Sequence, residues 1–180
     1  MIIGLTGDIG SGKDTVAKIL VNSYSFERLA LADPIANGMV AMFGITLEEY
    51  HNRTLKELPH PKLMGKSIRE VARLIGTEFG RDMIHEDIWT FVLNGKYTDM
   101  LCSGKHKFVI SDVRFENEEK WIRENEGVII RVIRDNNPFS SNMSGHRSDV
   151  YKPKNDHTII NSGNIRDLIE EIGDLPYYIL

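Results

Sequence analysis

Residues 7–15 read Gly-Asp-Ile-Gly-Ser-Gly-Lys-Asp-Thr, after the apolar run 1–5 and before the helical pattern 16–20. A strand feeding a glycine-rich turn at a helix N-terminus aims backbone N–H groups and the positive end of the helix dipole at a polyphosphate. Lys13 is spaced to reach the β- and γ-phosphates. Gly10, Ser11, Gly12, Lys13, Asp14 and Thr15 are therefore the candidate triphosphate-binding set. Asp14 stands where the pattern places a Ser or Thr hydroxyl on magnesium, so its carboxylate is the candidate metal ligand, and Thr15 keeps a hydroxyl one place on. A glycine-rich turn capped by Ser11 is the plainer alternative. It leaves Gly7, Gly10 and Gly12 unexplained, because three flexible residues in one short turn carry an entropic cost.

Further along the chain, Ser67 and Glu70 form a capping box, and Ile68, Val71, Ala72 and Ile75 recur at helical spacing. Off that stripe Arg69, Arg73 and Thr77 fall at i, i+4 and i+8, with Gly76 beside them. Two guanidiniums and a hydroxyl on one face suit a phosphate, and a solvated basic stripe is the alternative. Trp89 is placed either to stack on a base or to fill a core.

Asp112 and Arg114 follow the strand expected at 108–110, and in a parallel sheet ligands gather at strand C-terminal ends. Asp112 suits a metal-bound water or the acceptor; Arg114 suits a phosphate or an ion pair with Glu118 four places on. Asp33 ends another expected strand, where it either faces the cleft or caps the helix that Pro34 begins. Arg134 leaves the strand expected at 128–133 as a candidate phosphate arginine, with Arg131, Arg147 and Lys152 as competitors. Asn161, after the last strand, borders a base or is an ordinary turn residue.

The elements that must position these groups are apolar runs at 1–5, 26–31, 108–110, 128–133 and 158–160, which read as strands buried on both faces. Helical patterns alternate with them, which implies an α/β architecture with a parallel sheet. The last helix is capped by Asn164, with Leu168, Ile169 and Ile172 facing inward. Residues 48–66, rich in charge, His and Pro, lack periodicity and read as a mobile excursion; His51 and His60 there have no partner at a metal-site spacing.

At 180 residues the chain fits one domain, 1–180. A net charge of −4 without a polybasic run argues against nucleic acid or an anionic membrane as a partner. A single cysteine, Cys102, excludes an intramolecular disulfide and a cysteine zinc cage, which points to the cytoplasm. A second copy of the chain is a candidate partner, through the Arg69 helix or the 48–66 segment.

With the loop 7–15, the run Leu-Ile-Gly-Thr-Glu-Phe-Gly-Arg at 74–81, Trp89, and Ile-Ser-Asp-Val-Arg-Phe-Glu-Asn-Glu at 110–118, the chain resembles the deoxynucleoside monophosphate kinases of tailed bacteriophages over nearly its whole length. The resemblance implies a three-layer P-loop kinase fold: a central parallel sheet, helices on both faces, a substrate-binding insertion at about 34–104 and a lid at about 135–154. It also implies ATP as phosphoryl donor, Mg2+, a deoxynucleoside monophosphate acceptor, and the host cytoplasm if the chain is phage-encoded. Ser11, Lys13, Asp14 and Thr15 would then bind ATP, and Arg69, Gly76, Thr77, Trp89, Asp112, Arg114 and Glu118 would line the nucleotide site, with Arg73 and Asp33 as further substrate-side candidates. Such an acceptor is already anionic, so positive charge and alignment matter more than a general base, which gives Lys13, Arg114 and Asp112 the catalytic roles. Two other readings remain: a kinase of a hydroxyl acceptor such as dephospho-coenzyme A, where Asp33 or Asp112 would serve as base, and a nucleotide-dependent switch.

Overall fold

The structure, a computed structural model, describes residues 1–135 and 151–180. Its chain divides into two compact units, one made of Met1–Ala30 and Gly95–Leu180, the other of Leu31–Asn94.

The first unit is built on a five-stranded parallel sheet: β1 (Ile2–Thr6), β2 (Glu27–Leu29), β3 (Phe108–Ile110), β4 (Val128–Ile133) and β5 (His157–Ile160), in the order β2-β3-β1-β4-β5. The central strand β1 is buried along its whole length, and its Gly4 stands in register with Ile110 on one side and Ile129 on the other. Period-two alternation splits its side chains between two layers. Ile3 and Leu5 join Val109, Ile130, Val132 and Ile159 in one core with Val16, Ala17 and Leu20 of α1 (Lys13–Tyr24) and Leu168 and Ile172 of the final helix, Ile165–Gly173. On the opposite face the absent side chain of Gly4 admits Ile122 of the helix Glu116–Glu124, whose Cδ1 would lie 2.4 Å from a Cβ there. Tyr97, on the helix Ile88–Cys102, meets Phe108 and Trp121 edge-on in that layer. Helices thus cover both faces of the sheet.

Three expectations need correction in this unit. The strand expected at 26–31 shortens to three residues, because Phe26 N–H turns back to Leu20 O at the end of α1. β2 and β5 are edge strands with one buried residue each, and β4 is half buried, so only β1 and β3 are buried along their whole length. In the final helix Leu168 and Ile172 are buried as expected, but Ile169 is exposed, since an i, i+4 stripe contacts the sheet and the residue between is rotated off it.

The second unit carries α2 (Asp33–Phe43), α3 (Leu47–His51), single 3-10 turns at Leu55–Glu57 and Pro61–Leu63, and α4 (Ile68–Arg73), which runs directly into the π-helical segment Leu74–Ile84. Its core is Ile35, Ala36, Met39, Ile45, Tyr50, Leu63, Ile68 and Val71. Residues 48–66 are not a loose excursion. Tyr50 and Leu63 are buried, His60 Nε2 lies 3.4 Å from Glu49 Oε1, His60 N–H donates to Lys66 O, and the Lys62 ammonium reaches Gly44 O. One anchor per short turn leaves no periodicity to read.

The lid expected at 135–154 falls largely on residues 136–150, outside the described residues, as does Arg147. Among the described residues no helix is long and apolar enough to cross a membrane.

Candidate active site

The turn at residues 7–12 joins β1 to α1 with Gly7, Gly10 and Gly12 at φ of 141°, 83° and 104°. Two of these positions are also crowded, Gly7 by backbone and Gly12 by a side chain that would have to move. A Cβ on Gly7 would lie 2.3 Å from Val132 O, and one on Gly12 would lie 2.2 Å from Asn161 Nδ2. Gly12 is also the N-cap of α1 and supplies no capping side chain. Thr15 and Val16 N–H donate to Gly12 O, while Lys13 and Asp14 at the first two helical positions have no intrahelical acceptor. The helix end therefore presents donors and a positive dipole to an anion.

Lys13 is 9% exposed, and its Nζ donates to Gly7 O at 2.7 Å and Asp8 O at 2.8 Å. Burial, and then the positive charge of Arg114, pull its pKa from 10.5 down to about 8; Asp14, Asp8 and Asp112 oppose the shift. The structure thus gathers Lys13, Asp14, Asp112 and Arg114 into one electrostatic cluster, with Asp112 and Arg114 carried on the turn after β3. Val113 N–H donates to Leu5 O at 3.1 Å and holds that turn to β1.

Asn161 also comes to the loop, in a different manner from the one expected. Its Nδ2 donates to Ser11 O at 2.8 Å, so it buttresses the loop backbone. Glu118 is buried, and its Oε2 accepts from Arg114 N–H at 2.5 Å and Phe115 N–H at 3.0 Å. Arg134 is exposed immediately after β4 and is joined to the loop by none of these contacts.

Ser11 Oγ and Ser111 Oγ are both buried without a hydrogen-bond partner among the described residues. Leaving a buried hydroxyl unsatisfied costs about 1–3 kcal/mol, and a phosphate oxygen at the loop would relieve it at Ser11. Ser111 stands outside the residues singled out from sequence, although one hydroxyl ending an apolar run just before Asp112 was a signal for it.

In the second unit Arg69 and Arg73 keep their i, i+4 relation on α4, but Thr77 leaves that register. The chain winds with i to i+5 geometry from Leu74, as His85 N–H to Gly80 O illustrates, so α-helical spacing does not carry on to residue 77. Thr77 is 6% exposed, and Arg69 Nε is paired with Glu57 Oε1. Trp89 Nε1 donates to Gly76 O at 2.7 Å, and its ring occupies the space over Gly80, with Cζ2 2.5 Å from a Cβ there. The indole is thus a clamp on the π-helical segment. Asp33 is the first residue of α2, with Ala32 at the N-cap, so its carboxylate lies in the first turn of that helix. Arg81 is buried and its Nη1 donates to Glu86 O at 2.8 Å. Periodicity offered no signal for it, since a lone arginine is ordinarily exposed.

Residues 47–172 match the family described as deoxynucleotide monophosphate kinase. The chain belongs to the deoxynucleotide monophosphate kinase family. It is accordingly a phosphotransferase, with ATP as the phosphoryl donor that a kinase of this family implies. A relative from Acanthamoeba polyphaga mimivirus, described under the same family name, is 32% identical over 159 residues, spanning 83% of this chain and 81% of its own. The deoxynucleoside-5'-monophosphate kinase of Escherichia phage T5 is 24% identical, spanning 83% and 84%. Among solved structures, shikimate kinase from Aquifex aeolicus superposes with a TM-score of 0.53 at 18% identity over 96% of this chain and 94% of its own. TT1252 from Thermus thermophilus gives 0.52 at 22% identity over 98% of each chain. At that identity the likeness to this kinase is one of fold.

Proposed function

We propose that the protein transfers the γ-phosphoryl group of ATP to deoxynucleoside 5′-monophosphates, yielding the diphosphates. The observation that carries this reading is the family match over residues 47–172, on a chain whose Lys13 lies buried in a glycine-rich loop beside Arg114 and Asp112. Lys13, the N–H groups at the start of α1, and the hydroxyls of Ser11 and Thr15 bind the donor phosphates, with Arg134 as a further donor-side arginine. Arg114 stabilises charge on the phosphoryl group in flight, because a fixed cation in a dry site acts on the transition state without reorganisation.

The oxygen-rich set of Asp14 and Asp112 suits a hard divalent cation such as Mg2+, which binds through one or two carboxylates and substrate phosphates. Bound there, the ion would neutralise charge on the donor phosphates. Asp14 is exposed in the first turn of α1 and Asp112 is electrostatically coupled to Lys13, so both carboxylates belong to the loop's surroundings.

Acceptor recognition is assigned to the second unit, through Asp33, Arg69, Arg73, Gly76, Thr77 and Trp89. Arg69 would exchange Glu57 for an acceptor phosphate, a trade of one oxyanion for another. Gly76 and Trp89 would act by holding the shape of the π-helical segment.

An ADP-release assay across deoxynucleoside monophosphates, ribonucleoside monophosphates, nucleosides and dephospho-coenzyme A tests the reading. Turnover stimulated by deoxynucleoside monophosphates is expected. Activity confined to unphosphorylated acceptors would overturn it.

A further inference from the structure

The turn that carries Asp112 and Arg114 is held at both ends. Upstream, Val113 N–H is bonded to Leu5 O; downstream, one oxygen of Glu118 accepts from Arg114 N–H at 2.5 Å and Phe115 N–H at 3.0 Å. Three consecutive backbone donors are thereby fixed. The carboxylate doing this is 3% exposed, and burying a charge is costly unless it is well paired. An N-cap side chain would reach only the N–H groups inside the first turn, so the donors of Arg114 and Phe115, which precede the helix, depend on the carboxylate of Glu118. The donors that Glu118 reaches include the backbone N–H of the arginine that faces Lys13.

We propose that Glu118 is a positioning residue: it acts on phosphoryl transfer through the Arg114 backbone and makes no contact with substrate. The proposal rests on the role given to Arg114 above. A guanidinium must sit within a fraction of an ångström of the moving charge, and a misplacement of about 1 Å can cost on the order of a hundredfold in rate. Both backbone bonds go to one oxygen of Glu118, an acceptor that the amide of a glutamine can also supply.

A double-mutant cycle with Arg114→Ala tests this. Glu118→Ala is expected to lower kcat on the order of a hundredfold, while KM for donor and acceptor moves by less than about threefold. In the Arg114→Ala background the same change should cost less than about twofold further, since residues acting as one unit are not additive. Glu118→Gln keeps an amide oxygen for both N–H groups and is expected to retain most of the rate. Multiplicative losses in the cycle, or Glu118→Gln as damaging as Glu118→Ala, would overturn the proposal. Should Glu118→Ala not fold, Glu118→Gln in both backgrounds carries the test: retained rate supports the proposal, and an equal loss with and without Arg114 refutes it.

Amide hydrogen exchange at Arg114 and Phe115 reads the same contact without any turnover, so a failure of the kinase reading stays distinct from a failure of this one. Exchange at both should accelerate in Glu118→Ala and stay slow in Glu118→Gln. Unchanged exchange in Glu118→Ala would remove the positioning role.

Discussion

The side-chain amide of Asn161 donates to the carbonyl of Ser11 at 2.8 Å, a bond between positions 150 apart in the chain. Asn161 is itself held, because its backbone N–H donates to Ile133 O at 2.7 Å as β5 ends. The phosphate loop is therefore braced from the far end of the chain, and Gly12 is a glycine partly because the Asn161 amide lies where a Cβ would be.

Replacing Asn161 by Ala should leave the loop tethered at one point fewer. The loss of one such bond, about 1 kcal/mol, corresponds to roughly a fivefold weaker grip on ATP if the loop must be reordered on binding. Asn161→Asp should be worse, since it sets a carboxylate oxygen against the Ser11 carbonyl. Titration calorimetry with a non-hydrolysable ATP analogue measures both.

On the proposed donor-binding role, Lys13 should make nucleotide binding pH-dependent. With a pKa near 8 in the free protein, its ammonium is increasingly lost as pH rises through 8, and a bound polyphosphate draws the proton back. Binding at pH 8 to 9 should take up protons, seen as a buffer-dependent calorimetric enthalpy that vanishes in Lys13→Ala. The stability contribution has the opposite pH trend. Between about 8 and 10.5 the unfolded chain binds more protons at this site than the folded one, so Lys13 adds stability as pH rises through that window.

Asp14 occupies an exposed place in the first turn of α1, one residue after Lys13. If its carboxylate supports Mg2+, Asp14→Asn should raise the magnesium concentration for half-maximal turnover by roughly tenfold, as for a lost ligand or its orienting partner. A magnesium titration of initial rate decides this, and an unaltered midpoint removes Asp14 from the metal site.

Trp89 holds the π-helical segment through its Nε1 bond to Gly76 O and its ring over Gly80. Trp89→Phe keeps an aromatic ring but removes the donor, so it should destabilise the fold by about 1 kcal/mol, the usual worth of one hydrogen bond. Gly80→Ala should also destabilise, because a Cβ there meets the indole at 2.5 Å. Denaturant melts of the two variants report the losses.

Much of this protein was legible locally. β1, the glycine turn and α1 are contiguous, so residues 1–20 carry their own strand, turn and helix signals, and Lys13 follows from spacing alone. The same holds for the capping boxes at Ser67 and Asn164, where the bonded partners are three residues apart. β3 falls on its expected residues because a strand covered on both faces reads as an unbroken apolar run, and β4 does so although Arg131 interrupts its run. The exposed edges were less legible, and β2 lost half its expected length.

The rest required partners that lie far apart in sequence. No periodicity shows that Asn161 braces Ser11 or that Tyr50 and Leu63 anchor the segment between them, since each contact is decided by which surfaces meet. Glu118 illustrates the same limit at short range: a spacing of four residues suggested a contact with the Arg114 side chain, and folding also turned its carboxylate onto the backbone N–H groups of Arg114 and Phe115. The π-helical winding after Arg73 is stabilised from outside by the Trp89 indole, and it takes Thr77, which is buried, out of the register that α-helical spacing assigned to it. Sequence alone determined the glycine-rich turn and the helix it opens, because their signals are carried by neighbours along the chain. Tertiary structure decided which residues hold that loop and its arginine in place, because those bonds join surfaces that only folding brings together.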